Sequence, residues 1–269
     1  MTVDELFNIQ GRTAVVTGGS IGLGKQMAEG LAEKGCKVVI ANRDLSRGEQ
    51  TARELADRFG VSSLALQLDV TSLESVETFK KELSKQVSDV DILVNSAGIS
   101  LNTPLELSQE SVDTFRNILE VNVTGIFRCT AAIAPFMIKK GSGRVINISS
   151  IYGANGIDRS LYVEDLDSDF TLHGYAASKG AVCNLTRDLA SSLGRHGITV
   201  NAILPATFIT DQNRHLFQGD VLKRIEQRTP LGRVGTDDDL KGVVVFLASD
   251  ASKYVTGQML GVDGGWLAW

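Results

Sequence analysis

The sequence predicts an α/β fold, a parallel sheet of about seven strands covered by helices on both faces. Three observations carry that reading. Seven short apolar runs recur along the chain, longer segments with helical periodicity separate them, and no Pro-rich or low-complexity linker breaks the alternation. Runs that are apolar throughout, without alternation, are strands buried on both sides. At 269 residues and 43% hydrophobic, the chain is long enough for one large core and short for two full domains, so a single domain over 1–269 is expected.

The first strand, 12–17, leads through a glycine-rich turn into a helix at 23–34. Gly35 then stands where a left-handed helix C-cap is expected, as do Gly60 and Gly197 further on. The remaining strands are read at 37–41, 64–70, 91–94, 144–148, 199–203 and 258–262. Helices are read at 47–59, 73–86, 111–138, 175–193 and 237–248. The segment 157–172 breaks the regularity. It holds five acids (Asp158, Glu164, Asp165, Asp167, Asp169) against one Arg159, fits neither period, and reads as a surface insertion.

Composition excludes several partner classes. With 27 Lys and Arg against 32 Asp and Glu, the net charge of -5 offers no broad basic surface for nucleic acid. The first residues lack the basic-then-apolar pattern of a secretory signal, and apolar runs such as 243–248 are too short to span a bilayer. Cys36, Cys129 and Cys183 are scattered, and His173, His196 and His215 show no ligand spacing. No metal and no membrane are expected, and the protein reads as cytoplasmic.

The end of the first strand carries Thr17-Gly18-Gly19-Ser20-Ile21-Gly22-Leu23-Gly24. Gly18 and Gly22 permit a tight turn and close backbone approach to a pyrophosphate, with Ser20 and Ile21 in the loop. Gly24 lets the helix pack near the strand with its N-terminal amides facing the anion. Beyond the second strand lie Asn42 and Arg43. A carboxylate there would hold the ribose hydroxyls of NAD, whereas an arginine attracts the 2′-phosphate of NADP. NADP is therefore favoured over NAD, although Asp44 follows at once and Arg43 also reads as a solvated loop cation. Asp69, followed by Val70, closes the third strand. It is read either as an acceptor for the adenine amino group or as a helix N-terminal acid.

Two features carry reaction chemistry. Tyr175 and Lys179 lie four apart on one helix face, where the ammonium is expected to lower the phenol's pKa from its ordinary value of about 10. Ser150 closes the fifth strand, at the carboxyl edge where parallel sheets bind ligands. Taken singly, these are a helix surface pair and a turn or cap. Together, downstream of a phosphate loop, they read as a reacting site.

On these residues the chain resembles the short-chain dehydrogenases/reductases in their compact branch. The likeness runs through Thr17 to Gly24, Asn95-Ser96-Ala97-Gly98, Asn122, Ser150, Tyr175 with Lys179, Pro205 and Asp263-Gly264-Gly265. It implies a doubly wound Rossmann-type sheet, a homotetramer, and hydride transfer between a nicotinamide and a secondary alcohol or ketone. Tyr175 would be the general acid/base, Lys179 its electrostatic partner and a ribose ligand, and Ser150 the donor to the substrate oxygen. Asn122 would hold a relay water. Asn95, Ala97 and Gly98 would border the cofactor, with Pro205 and Thr210 on its nicotinamide side. Departures from the family pattern are Ala206, Ser96 and the interval of 25 positions between Ser150 and Tyr175, to which the acidic segment adds.

The segment 207–228 occupies the family's lid position and carries Arg214, His215, Lys223, Arg224 and Arg228, cations that could receive a carboxylate or simply face solvent. The ending Asp263-Gly264-Gly265-Trp266 is similar to that of sugar-acid dehydrogenases, and it favours a sugar, polyol or sugar acid as substrate. A 3-ketoacyl or small cyclic ketone is the enzymatic alternative. A non-catalytic NADP sensor or scaffold is the alternative of another class. The two tryptophans also read as anchors between subunits.

Overall fold

The computed structural model describes residues 1–103, 105–161, 171–210, 213–214 and 217–269. In chain order the elements are α1 (Val3–Leu6), β1 (Thr13–Thr17), α2 (Gly22–Glu33), β2 (Lys37–Asn42), α3 (Leu45–Phe59), β3 (Ser63–Gln67), α4 (Leu73–Gln86), β4 (Ile92–Asn95), α5 (Gln109–Leu119), α6 (Gly125–Lys140), β5 (Gly143–Ile148), α7 (His173–Leu193), β6 (Ile198–Pro205), α8 (Gly219–Arg228), α9 (Lys241–Ala248) and β7 (Met259–Val262). The seven strands form one sheet in the order β3-β2-β1-β4-β5-β6-β7, parallel at every pairing. Strand order reverses between β1 and β4, which opens a crevice at their carboxyl ends.

Successive residues of each central strand feed opposite cores. Ala14 and Val16 of β1, with Val38 and Ile40 of β2, pack under α2, α3 and α9. Val15, Val39 and Leu93 point the other way, onto α4, α6 and α7. This two-sided burial is why the strands read as unbroken apolar runs. The edges differ: β3 and β7 are only partly buried.

Gly35, Gly60 and Gly197 adopt the expected left-handed backbone, with φ of +83°, +67° and +72°. Several elements depart from the expected ranges. The third strand stops at Gln67, so Asp69 and Val70 lie in the following loop, where Ser72, not Asp69, caps α4. The last predicted helix begins only at Lys241. A helix, α8, forms inside the expected lid. The helix expected at 111–138 is two helices joined by a π turn at Glu120–Thr124. The whole run Gln109–Lys140 is long and apolar enough to cross a membrane by length and composition. Its apolarity serves the sheet instead, with Cys129, Ile133 and Met137 buried in the second core.

Of the segment 157–172, Asp158, Arg159 and Ser160 are exposed, Leu161 is buried, and 162–170 lies outside the described residues. The chain returns through a bridge between Leu172 and Thr103. Thr171 N donates to Asn102 Oδ1 at 2.7 Å, and Thr103 N to the Thr171 carbonyl at 2.8 Å.

Candidate active site

The glycine loop is built as the anion reading requires. Gly18 and Gly22 have φ of +64° and +52°. A Cβ on Gly24 would fall 2.3 Å from the Gly18 carbonyl oxygen, so only glycine lets α2 start this close to the strand. Ile21, at the N-cap of α2, offers no side-chain acceptor to the first amides. Among the described residues Ser20 Oγ is one of four buried side-chain atoms with no hydrogen-bond partner. Uncapped amides and an unpaired hydroxyl on one turn fit a phosphate. Thr17 Oγ1 accepts from the amides of Ser96 and Ala97, both at 3.1 Å, and so ties the loop's first residue to the end of β4.

At the tip of β2, Asn42 Nδ2 donates to the Asp44 carbonyl at 3.1 Å. The Asp44 carboxylate caps α3 by accepting from Arg47 N and sits 3.6 Å from the Arg47 guanidinium. It is thus engaged by its own helix. Arg43 is exposed, and its charge reaches Asp69. Burial alone would raise the Asp69 carboxyl, but bonds from the Thr71 hydroxyl and amide, helped by Arg43, hold it below its ordinary value. The main-chain carbonyl of Val70 accepts from Arg128, and Gly125 leaves room for the Val70 side chain.

Across the crevice, Ser150 heads a single 3₁₀ turn, Ile151–Gly153, and its Oγ accepts from Tyr152 N at 3.2 Å. The Ser150 hydroxyl stands close enough to the Tyr175 phenol to favour its ionisation. Lys179 Nζ lies 5.4 Å from the centre of the Tyr175 ring. The long interval between Ser150 and Tyr175 has therefore not separated them. Two contacts hold the turn on α7. Ser149 Oγ donates to the Lys179 carbonyl at 2.8 Å, and Gly153 approaches so closely that a Cβ would fall 2.6 Å from that same oxygen.

The electrostatics depart from expectation. The Tyr175 phenol stands above its ordinary value because burial opposes its ionisation, and the nearby Ser150 hydroxyl offsets only part of this. Lys179 does not bring it down. Its ammonium is buried, is pushed down to about 8, and donates to the Ile148 carbonyl at 2.8 Å. A protonated phenol is a general acid ready to donate.

Asn122 sits in the π turn, 1% exposed. Its Oδ1 accepts from Ile99 N at 2.8 Å, while Nδ2 donates to the Ile99 carbonyl at 2.9 Å and to Ser178 Oγ at 3.0 Å. The side-chain amide is thus committed to positioning. Ser178, absent from the expected site, passes its own hydrogen to the Tyr175 carbonyl at 2.7 Å, so it links the π turn to α7. Gly98 completes this corner, where a Cβ would come 3.2 Å from Asn122 Oδ1 and 3.8 Å from Lys179 Nζ. Asn95 bonds Thr130 and its cross-strand neighbour Asn147, which in turn reaches Thr186 on α7.

Pro205 ends β6, and Thr210 opens a turn in which Asn213 Oδ1 accepts from Thr210 N at 2.7 Å. Of the expected lid cations, Lys223 pairs with Asp220, Arg224 Nε donates to the Leu161 carbonyl, and Arg228 lies against two tryptophan rings. His215 lies outside the described residues. Trp266 is 2% exposed within its own chain, so it is no anchor between subunits.

A family model described as Enoyl-(Acyl carrier protein) reductase, of the short-chain dehydrogenase/reductase group, matches residues 18–267. The chain belongs to the short-chain dehydrogenase/reductase family. It is 35% identical to 3-oxoacyl-[acyl-carrier-protein] reductase FabG of Vibrio cholerae over 96% of this chain and 98% of that protein. It is 33% identical to 5-keto-D-gluconate 5-reductase of Escherichia coli over 98% and 99%. A gluconate 5-dehydrogenase of Burkholderia cenocepacia, solved in complex with NADP and tartrate, superposes with a TM-score of 0.87 at 35% identity, covering 98% of each chain. This family member is an oxidoreductase that moves hydride between a nicotinamide cofactor and a secondary alcohol or ketone.

Proposed function

We propose that this chain reduces the ketone of a sugar acid, of the keto-gluconate class, with NADPH. The observation that carries the reading is the Ser150 hydroxyl beside the Tyr175 phenol, with buried Lys179 alongside, at the carboxyl edge of the sheet. The cofactor supplies hydride when bound. The chain's own residues do the rest. Tyr175, protonated at neutral pH, gives its proton to the carbonyl oxygen, and Ser150 donates to the same oxygen as charge grows on it. Lys179 binds the ribose, and Asn122, through Ser178, holds the tyrosine's helix in place.

Gly18, Ser20, Ile21, Gly22 and Gly24 take the pyrophosphate. Asn42 and Arg43 take the adenosine ribose, with Asp69 and Val70 at the adenine. Asn95, Ala97 and Gly98 line the cofactor's middle, and Pro205 and Thr210 its nicotinamide end. The engagement of Asp44 by α3 supports NADP, because the carboxylate that follows Arg43 in the chain is turned to Arg47. The sugar-acid class is supported by the Escherichia coli and Burkholderia cenocepacia relatives. The Vibrio cholerae relative supports the second reading, a 3-ketoacyl substrate. We further propose one domain over 1–269 with a surface insertion near 157–172, a substrate lid near 207–228 and a homotetramer. The exposed Val112, Phe127 and Ile138 of α5 and α6 support the assembly. Three free, buried cysteines support a cytoplasmic home.

The test is oxidation of NADPH, and separately NADH, with 5-keto-D-gluconate and with an acetoacetyl thioester, followed at the cofactor's absorbance band. Turnover with the keto acid, preferring NADPH, is expected. Tyr175→Phe should lower it by about 10²–10⁴-fold with NADPH binding retained. NADPH binding without turnover on either ketone would favour the sensor, and turnover that survives Tyr175→Phe would remove the mechanism.

A further inference from the structure

Helix α8 packs away from the two sheet cores. Its Val221 and Ile225 join Ile151, Leu161 and Trp266 in a small apolar cluster of their own. Ile151 directly follows Ser150, so one wall of this cluster is the turn that presents the reacting hydroxyl. The far wall is Trp266, and local geometry explains how it gets there. The Asp263 carboxylate accepts from the amides of Gly265 and Leu267, both at 2.9 Å, and folds the chain back. Gly264 and Gly265, at φ of +62° and +91°, then lie against the end of α8. Added Cβ atoms would stand 2.6 Å from Thr229 Cγ2 and 2.8 Å from Pro230 Cγ.

At that end of α8, Arg228 lies against both rings, 5.3 Å from the centre of Trp266 and 5.5 Å from that of Trp269. Its Nη2 donates to the Trp269 carbonyl and Trp269 Nε1 donates to the Arg228 carbonyl, both at 3.2 Å. The helix thereby gains a donor for one of its terminal carbonyls. At its start, by contrast, Gln218 provides no side-chain cap.

We propose that Arg228, Trp266 and Trp269 form a clasp that sets α8 against the Ser150 turn, and that as positioning residues they govern ketone affinity without touching the ketone. The inference rests on the assignment of Ser150 and Tyr175 as the reacting pair. Because the cluster is separate from the sheet cores, loosening it should open α8 locally and leave the sheet intact. NADPH, held at the glycine loop, should feel little of it.

The test compares wild type with Arg228→Ala, Arg228→Lys and Trp266→Phe in two assays. The first is ketone KM and kcat at saturating NADPH, with NADPH affinity measured by its fluorescence. The second is hydrogen exchange of the amides of 219–228. For Arg228→Ala, KM should rise about tenfold with kcat and NADPH affinity within about threefold of wild type. Amides of α8 should exchange about tenfold faster while those of β1, β4 and β5 stay unchanged. Arg228→Lys and Trp266→Phe should fall in between. Unchanged α8 exchange, equal acceleration in the sheet, or a KM that stays put while α8 loosens would each overturn the clasp. A wild type that binds NADPH and reduces neither ketone would fail differently. It removes the reaction and the affinity claim with it, while the exchange data still judge the clasp.

Discussion

Replacing Gly153 by alanine should damage catalysis far more than folding, and the size of the effect can be worked from the contacts. A Cβ at this position would lie 2.6 Å from the Lys179 carbonyl oxygen, 2.6 Å from Ser149 Oγ and 2.8 Å from the Lys179 carbonyl carbon. Comfortable contact begins near about 3.5 Å, so something must move by roughly 1 Å. None of the three atoms is the free end of a long side chain, and Ser149 Oγ is itself bonded to Lys179. The long, packed α7 is the stiffer partner, so the single turn carrying Ser150 should give way. A 1 Å misplacement of a positioned group costs on the order of 10²-fold in rate. Overpacking costs about 1–3 kcal/mol, offset by about 0.4–1 kcal/mol because alanine restricts the unfolded chain. Steady-state reduction of the ketone, thermal unfolding and NADPH titration should therefore show kcat/KM down about 100-fold, stability down about 1–2 kcal/mol and cofactor affinity nearly intact. Gly156→Ala is the control, because a Cβ there meets nothing within 4 Å and should change neither quantity. A Gly153→Ala enzyme with kcat/KM within about threefold of wild type would refute the reasoning.

Two other perturbations probe the buried charge and the glycine loop. Burial holds Lys179 down at about 8, so between there and its unfolded value of about 10.4 the unfolded chain binds the extra proton and stability should rise with pH, while below about 8 the penalty is present in full. The Cys36 and Cys129 thiols, pushed up to about 12 by burial, act in the opposite sense above about 9. The reading is therefore the difference between wild type and Lys179→Met in urea unfolding at several pH values: the advantage of the variant should shrink from pH 8 towards 10, and a constant difference would contradict it. Gly24→Ala forces a Cβ against the Gly18 carbonyl at 2.3 Å. It should weaken NADPH binding at least about tenfold in a fluorescence titration, and unaltered affinity would detach the loop from the cofactor.

What could be read from the sequence was whatever leaves a local signature. Two-sided burial writes unbroken apolar runs, so the strands of the sheet were legible. The left-handed turns at Gly35, Gly60 and Gly197 follow from the φ that only glycine takes without strain. That Ser150, Tyr175 and Lys179 lie near one another was legible, because a strand end and a four-residue helical spacing leave local marks. The π turn at Asn122 was not, since one extra residue in a helical turn barely disturbs a 3.6-residue period over a run this apolar. Nor was the state of Tyr175. Spacing alone placed an ammonium near the phenol, but the sign of the shift is set by how deeply both groups are buried, which is a tertiary quantity. Ser178, bonded to Asn122, and the Arg228 contacts with Trp266 and Trp269 belong to the same class, each defined by a partner remote in sequence.

The long interval between Ser150 and Tyr175 is the point where local and tertiary causes can be weighed against each other. Extra loop length is a weak perturbation, because each doubling costs only about 0.6 kcal/mol of closure entropy. Geometry at the two ends is the stronger force. Gly153 and Ser149 lock the departing strand end onto α7 at Lys179. Thr171 and Leu172 fasten the returning chain to Asn102 and Thr103 just before α7 begins. The hydroxyl and the phenol are thus held by contacts near the two ends of the interval, at Ser149 and Gly153 on one side and at Thr171 and Leu172 on the other. It follows that the interval can lengthen while Ser150 stays beside Tyr175, and that a change at Gly153, where an added Cβ has no room, should matter more than a change at the exposed residues 158–160.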